Sequence, residues 1–238
     1  EGVCSLLALA GYGLQIYYDF FGYSLMAMGV GAMLGFTIPR NFNHPYAAAS
    51  ITDFWRRWHI TLSGWFRDYV YIPLGGSRRG RARTALNLLI VWALTGLWHG
   101  ASWNFVAWGC YYFLLLMVEK FCLGGFLKKH RALSHVYALG AVFLGWALFA
   151  QEDLSRLPGF LAGLFRFSGE GAALFWLRQY GAVLLAACLG LVPRLTAWGG
   201  AFFARRPGLR TAAMLLLLAL CLAALMNSSY NPFLYFRF

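Results

Sequence analysis

The chain has 238 residues, of which 61% are hydrophobic and only 12% are charged, and its mean hydropathy is +0.60. A soluble domain carries about 25% charged residues, so this composition excludes an ordinary soluble protein and indicates an integral membrane protein. The formal net charge of +12 comes from 20 Lys and Arg against 8 Asp and Glu. In a membrane protein this excess indicates cytoplasmic loops beside anionic membrane lipids, and no nucleic-acid partner is expected.

Apolar segments near the length of a membrane-spanning helix follow one another along the chain. All are expected to be helices, because lipid would leave unpaired strand edges unsatisfied. The predicted segments are residues 2–18, 21–36, 84–97, 103–121, 134–150, 171–192 and 211–226. We therefore predict an all-α, multi-pass integral membrane protein in which residues 1–238 form a single transmembrane domain. Because the chain opens at Glu1, directly in an apolar segment, we expect it to be the C-terminal portion of a longer protein.

Basic residues gather in three clusters, and two apolar segments separate each cluster from the next. All three clusters can therefore lie on the cytoplasmic side, which leaves Glu152 and Asp153 outside. A helix over residues 84–97 rises only about 20 Å, against a hydrocarbon core of about 30 Å, so we expect His99 to lie below the outer surface. The clusters are Arg78, Arg79, Arg81 and Arg83; Lys128, Lys129 and Arg131; and Arg194, Arg205, Arg206 and Arg210.

The segment from Asp53 to Tyr71 differs from a spanning helix because it mixes aromatic and charged residues. If it is helical, its side chains fall on two stripes, and we expect one amphipathic helix at the interface or beside a wet cavity. The break that follows it is Ile72-Pro73-Leu74-Gly75-Gly76. The apolar stripe is Trp55, Trp58, Leu62, Trp65, Phe66 and Tyr69, and the polar stripe is Asp53, Arg56, His59, Ser63 and Arg67.

Two histidines stand out as candidates for chemistry. His99 lies in the run Gly96-Leu97-Trp98-His99-Gly100-Ala101-Ser102-Trp103-Asn104, and His59 ends the run Asp53-Phe54-Trp55-Arg56-Arg57-Trp58-His59. An imidazole with a pKa near 6.5 can take a proton from a hydroxyl near neutral pH. An ionisable group at membrane depth is a functional candidate by default. The structural alternatives are a hydrogen-bonded core histidine for His99 and an interfacial residue for His59.

The sequence carries no signature of a metal site or of a tightly bound cofactor. It has no His-Glu-x-x-His motif, P-loop or Gly-x-Ser-x-Gly turn, and its five cysteines are scattered like small core residues. A histidine without an obvious protein nucleophile indicates direct transfer, in which an acceptor hydroxyl loses its proton to the base and attacks a thioester carbonyl. Candidate donors to the oxyanion are Asn104, Trp98 and Trp103.

Several other polar residues are compatible with either a functional or a structural role. Arg56, Arg57 and Arg67 can bind phosphate or carboxylate groups or can anchor the chain at the headgroups. Asp68 can be the ion-pair partner of its neighbour Arg67. Asp19 and Glu119, in or near apolar segments, can belong to a proton path or to a buried pair.

A set of runs in the first half of the chain, and one at its end, carries a family resemblance. They are Tyr18-Asp19-Phe20, Gly22-Tyr23-Ser24, Ile38-Pro39-Arg40-Asn41-Phe42, Pro45-Tyr46, Asp53 to Ser63, Trp65 to Gly76, Gly96 to Ala101 and Asn231 to Phe238. They resemble the membrane-bound O-acyltransferases, in particular the bacterial alginate O-acetyltransferase branch. Two departures are Leu25, where the family commonly has Asp, and Phe21, where it commonly has a small residue.

The resemblance implies a multi-pass helical enzyme of the bacterial inner membrane. Such an enzyme moves an acyl group, usually acetyl, from a cytoplasmic thioester such as acetyl-CoA toward a cell-surface polysaccharide, often with an extracytoplasmic esterase-like partner. His99 matches the family's catalytic histidine and His59 its second functionally important one. The family's N-terminal helices are not matched by this chain. The predicted site therefore has His99 as general base and His59 as a second catalytic residue, with substrate-binding roles for Trp98, Asn104, Ser63, Arg56, Arg67 and Asp68.

Two other functions remain open at this point. A related branch of the same family transfers D-alanyl groups to teichoic acid from a carrier-protein thioester. A transporter or scaffold would instead use the histidines in a proton path, and it would be sensitive to changes at Asp19 or Glu119 rather than at His99.

Overall fold

A computed structural model describes residues 2–167 and 171–226, and every regular element in that part of the chain is helical. The short elements are 3₁₀ turns at Pro45–Ala47 and Leu154–Arg156 and single π-helical turns at Arg67–Tyr71 and Glu119–Leu123. The α-helices are α1 (Gly2–Met33), α2 (Ile51–Trp55), α3 (Ile60–Phe66), α4 (Gly80–His99), α5 (Trp103–Val118), α6 (Gly124–Lys129), α7 (Arg131–Ala150), α8 (Leu157–Gly163), α9 (Gly171–Gly190), α10 (Pro193–Ala204) and α11 (Pro207–Met226).

The predicted all-α, multi-pass architecture is confirmed. Within the described residues, four stretches are long and apolar enough to cross a membrane. They are Trp103–Lys129, Arg131–Ala150, Gly171–Gly190 and Pro207–Met226. The first of these combines α5 and α6 through the π-helical turn between them. This span therefore extends beyond residue 121, where the predicted apolar segment ended.

The core is an aromatic cluster between α1, α2, α5 and α7. The indole of Trp58, just after α2, lies 4.8 Å from that of Trp146 in α7, measured between ring centroids. Tyr46 in the first 3₁₀ turn accepts a hydrogen bond from Trp146 Nε1 at 3.1 Å and donates one to the Gly13 carbonyl of α1 at 2.5 Å. Large aromatic side chains that bury this much surface dominate core energetics, so this cluster fixes the short helix α2 inside the bundle.

Helices α4 and α5 form a hairpin in which the two backbones touch. A Cβ atom added to Gly109 of α5 would meet the Trp92 carbonyl of α4, and one added to Gly96 would lie 2.5 Å from the Phe105 carbonyl. Small residues at helix crossings allow this close approach in membrane proteins. The hairpin therefore carries His99, at the end of α4, directly against the aromatic face of α5.

Two helices differ from the apolar segments that predicted them, and a third was not predicted. Residues 2–18 and 21–36 belong to one helix of 32 residues, because Asp19 carries no helix-breaking signal. Helix α4 has 20 residues and includes Arg81 and Arg83; it therefore rises about 30 Å, and the rise of about 20 Å expected for residues 84–97 is wrong. Helix α10 was missed because hydropathy does not detect its start, which is marked by Pro193 at the first helical positions.

Candidate active site

His59 occupies a break between two short helices. Helix α2 ends at Trp55 and α3 begins at Ile60, and His59 between them is left-handed, with φ 45° and ψ 54°. The prediction of one amphipathic helix over Asp53 to Tyr71 is therefore wrong. The stripes fitted a helical period, but Trp58 is drawn into the aromatic core while Trp65 and Tyr69 are exposed. Tertiary burial overrides the local pattern here.

A buried carboxylate binds the N-terminus of helix α2. Glu119, only 4% exposed, accepts hydrogen bonds from the Ile51 amide, from the Thr52 amide at 2.9 Å and from the Thr52 hydroxyl at 2.8 Å. A carboxylate at a helix N-terminus satisfies unpaired N–H groups and complements the helix dipole. Glu119 thus anchors α2 to the end of α5.

Both histidines line one cavity of about 200 Å³. The walls come from α2, α3 with the π-helical turn after it, and α4, so the break at His59 is what brings its ring to the same space as His99. The other lining residues are Trp55, Leu62, Ser63, Phe66, Arg67, Tyr71, Leu88, Val91, Trp92 and Thr95. The lining is largely aromatic and aliphatic with a few polar groups, as in small-molecule sites generally.

The His59 ring is fixed by one hydrogen bond and two aromatic contacts. Its Nδ1 lies 3.1 Å from Asn41 Oδ1. The ring packs edge-on against Phe20 at 4.6 Å and against Trp98 at 5.8 Å, between centroids. Its other nitrogen, Nε2, is buried and has no hydrogen-bond partner among the described residues.

The His99 ring, at the end of α4, is surrounded by aromatic side chains. It meets Trp98 at 4.9 Å, Trp108 at 5.0 Å and Phe149 at 5.3 Å, all nearly perpendicular. The helix ends at His99, and a Cβ atom at the following residue, Gly100, would lie 2.6 Å from the Phe105 ring, so only glycine fits this turn. No hydrogen bond to the His99 side chain is found within residues 2–167 and 171–226. Apolar surroundings penalise an imidazolium, which favours the neutral ring needed for a base.

The structure brings together only some of the predicted substrate-binding residues. Ser63 and Arg67 line the histidine cavity. Arg67 also makes a bidentate ion pair with Asp68 on an exposed surface, from Nε to Oδ1 at 2.7 Å and from Nη2 to Oδ2 at 3.0 Å. The guanidinium lowers the pKa of the Asp68 carboxyl through this hydrogen bond. Asp68 itself is not among the cavity-lining residues.

The remaining predicted residues lie elsewhere. Trp98 is half-exposed and packs against both histidine rings without lining the cavity. Asn104 is fully buried and its amide donates to the Phe149 carbonyl at 2.8 Å, which ties α5 to the end of α7. Trp103 is exposed. Arg56 lines a second cavity, which shares Leu88 with the histidine cavity.

Sequence reasoning gave no role to Asn41, which holds His59. The residue was visible only as one member of the run Ile38-Pro39-Arg40-Asn41-Phe42. An amide side chain in a loop is a weak signal, since its partner lies 18 residues further along the chain. Thr95 was also missed; it lines the cavity, and its hydroxyl donates to the Val91 carbonyl at 2.7 Å.

A comparison with family models identifies one match, described as the MBOAT, membrane-bound O-acyltransferase family, over residues 2–151. The chain belongs to the membrane-bound O-acyltransferase family. The match includes α1 to α7 and therefore every residue of the histidine cavity. The family predicted from the runs around the two histidines is confirmed. The prediction of an integral membrane protein is also confirmed. The last of those runs, Asn231 to Phe238, lies outside the described residues.

Curated relatives agree with this assignment. The chain is 45% identical over 162 residues to a probable alginate O-acetylase AlgI of Azotobacter vinelandii, covering 68% of this chain and 32% of that protein. It is 35% identical over 257 aligned positions to a probable alginate O-acetylase AlgI of Pseudomonas putida, and this match covers 98% of this chain and 53% of that protein. It is 39% identical over 162 residues to a peptidoglycan O-acetyltransferase of Helicobacter pylori, covering 66% and 31%. At its widest match, the chain spans about half of the relative's length.

Proposed function

We propose that this chain carries the acyl-transfer site of an enzyme that moves an acetyl group from a cytoplasmic thioester toward hydroxyls of an extracytoplasmic polysaccharide. The observation that carries the proposal is the single small cavity that His59 and His99 share. The names of the relatives support the reaction class, since they describe an alginate O-acetylase and a peptidoglycan O-acetyltransferase.

The proposed reaction is a direct transfer with His99 as the general base. The neutral imidazole takes the proton of an acceptor hydroxyl, and the oxygen attacks the thioester carbonyl. The C–O bond forms, the C–S bond breaks, and the departing thiolate takes the proton back from the imidazolium. The two electrons of the broken bond leave with sulfur, so no redox partner is needed. The aromatic rings around His99 exclude water, which would otherwise compete as the acceptor.

The donor is proposed to approach from the face that carries the second cavity, of about 740 Å³. Helix α2 contributes to both cavities, with Trp55 lining the histidine cavity and Arg56 the second one, and Leu88 lines both. Four basic residues line the second cavity against two carboxylates, Asp53 and Glu119, so its net charge is positive; the basic residues are Arg56, Lys120, Lys128 and Arg131. A polyanionic thioester such as acetyl-CoA is attracted to a cleft of this charge. Arg131→Gln is expected to raise KM for the donor several-fold with little change in kcat, whereas Arg178→Gln, on the exposed side of α9, is the matched control.

The setting follows from the same proposal. The three basic clusters would face the cytoplasm, and the polysaccharide would be reached on the other side of the bacterial inner membrane. An extracytoplasmic esterase-like partner would then pass the acetyl group on to the polymer. Acetyl-CoA or another thioester serves as donor, and the proposed reaction uses no metal and no tightly bound cofactor.

The test compares the full-length protein with its His99→Ala variant at equal abundance in the membrane. Ester-linked acetyl on the surface polysaccharide is measured by NMR, and His130→Ala, at an exposed histidine, serves as the control. We expect His99→Ala to lose acetylation by a factor of about 10²–10⁴ and His130→Ala to match the wild type. Unchanged acetylation in His99→Ala would remove this residue from the mechanism, and D-alanyl esters in place of acetyl would identify a different acyl group.

A further inference from the structure

The side-chain oxygen of Asn41 receives hydrogen bonds from two neighbouring residues. The Thr61 amide donates to Asn41 Oδ1 at 3.3 Å and the Thr61 hydroxyl donates at 2.9 Å. His59 Nδ1 lies 3.1 Å from the same atom. The other end of the amide, Nδ2, points to the Ser24 hydroxyl at 3.4 Å.

The Thr61 contact decides which end of the amide faces His59. A backbone N–H can only donate, so the atom that it meets must be the oxygen of Asn41 and not its nitrogen. An oxygen accepts hydrogen bonds and cannot donate one, so the His59 Nδ1 must carry a hydrogen. In a neutral imidazole the other nitrogen then has the free lone pair.

The backbone holds this arrangement in register. The Ile60 amide donates to the Asn41 carbonyl at 2.9 Å, and the Asn43 amide donates to the Arg57 carbonyl at 2.9 Å. These two bonds tie the loop that carries Asn41 to the break that carries His59. The left-handed backbone of His59 lies between them and directs its ring toward α4.

We infer that Asn41 is a positioning residue that holds His59 as the Nδ1–H tautomer, so that Nε2 offers a hydrogen-bond acceptor to a second donor group of the acyl acceptor, beside the hydroxyl that His99 deprotonates. Nε2 is buried and unpartnered within the described residues, although its ring lines this cavity. A buried acceptor without a donor is unfavourable, and another O–H or N–H group of the bound acyl acceptor is a donor of the required kind. The role of this donor rests on the proposed function, whereas the tautomer does not.

The tautomer is measured directly by ¹⁵N NMR of histidine-labelled full-length protein in membranes above neutral pH. Protonated and unprotonated ring nitrogens have well-separated shifts, and the difference from the His59→Gln spectrum assigns the His59 signals. We expect Nδ1 protonated and Nε2 unprotonated in the wild type. An Nε2–H signal for His59 in the wild type would overturn the inference, whatever the acetylation result.

Variants of the asparagine complete the test. Asn41→Leu removes the acceptor and is expected to return His59 to a mixture of tautomers and to lower kcat about tenfold, with a smaller change in KM for the donor. Asn41→Asp keeps an oxygen at this place and is expected to restore the Nδ1–H signal. Asn43→Leu, at an exposed asparagine two residues away, is the control and is expected to change neither signal nor rate.

The outcomes separate this inference from the proposed function. If Asn41→Leu is not inserted in the membrane, the wild-type and Asn41→Asp spectra still decide the tautomer. A wild-type Nδ1–H signal together with unchanged acetylation in His99→Ala would contradict the proposed function and leave the positioning by Asn41 standing. An unchanged His59 spectrum in a folded Asn41→Leu variant would contradict the positioning role alone.

Discussion

Residues 2–151 and residues 171–226 differ in how their helices are buried. In the candidate span of α7, 44% of the residues are buried within the protein, against 6% in α9 and none in α11. Ala173 is the one buried residue of α9, and α10 and α11 have none within the described residues. The first region packs aromatic side chains around α2, whereas the second presents leucines on most of its surface.

This difference indicates where the sequence is constrained by chemistry and where by the bilayer alone. The histidine cavity, the Glu119 anchor and the Asn41 contact all lie in the first region. Exposed apolar helices such as α11 need only a lipid-compatible composition, because lipid tails are as apolar as leucine. Substitutions of the same kind should therefore have different effects in the two regions.

The largest expected contrast is between two glycines in spanning helices. Gly109→Ala would press a methyl group into the Trp92 carbonyl and separate α4 from α5, whereas Gly181→Ala in α9 meets no atom within 4 Å. A tightly packed crossing can take up the methyl group only by backbone shifts, which destabilise the fold by about 1–3 kcal/mol. We therefore expect Gly109→Ala to lose both membrane abundance and activity. Gly181→Ala should be neutral or slightly stabilising. Thermal unfolding in detergent compares the two, and equal midpoints would contradict the contrast.

A second prediction concerns the anchor of α2. Glu119→Leu leaves the Ile51 and Thr52 amides without their acceptor, and hydrogen bonds to a charged group contribute about 1.5–3 kcal/mol each. We expect a clear drop in the unfolding midpoint and at least a tenfold loss of acetyl transfer, because α2 carries Trp55 at the wall of the cavity.

Glu152→Leu is the matched control for that change, since Glu152 is exposed in the loop after α7. It should leave both the unfolding midpoint and the activity unchanged. A Glu119→Leu variant as stable and active as the control would show that α2 is held by the aromatic core alone.

The smallest expected effect is at the joint between the two regions. Tyr18 of α1 donates a hydrogen bond to the Ala187 carbonyl of α9 at 2.6 Å. Tyr18→Phe removes this bond, which contributes about 0.5–1.5 kcal/mol, and keeps the ring. We expect a slightly lower midpoint of thermal unfolding in detergent, with normal acetylation. Loss of acetylation in this variant would show that the second region helps to shape the site.

The site could be predicted from the sequence in part. The composition identified an integral membrane protein, and four of the predicted apolar segments coincide with helices that are apolar enough to cross a membrane. The runs around His59 and His99 identified the family. The break at His59 could not be predicted, because the residues of the segment also fit a regular amphipathic helix and only the burial of Trp58 decides against it. The roles of Glu119 and Asn41 depend on partners far along the chain, which no local pattern contains.

The most direct test of the account is whether His59 and His99 act as one unit. Acetyl transfer is measured for His59→Gln, for His99→Ala and for the double variant, each at equal abundance in the membrane. Residues that act on the same step are strongly non-additive, so we predict that the double variant is no less active than His99→Ala alone. Losses that multiply in the double variant would contradict a shared site and place the two histidines in separate steps.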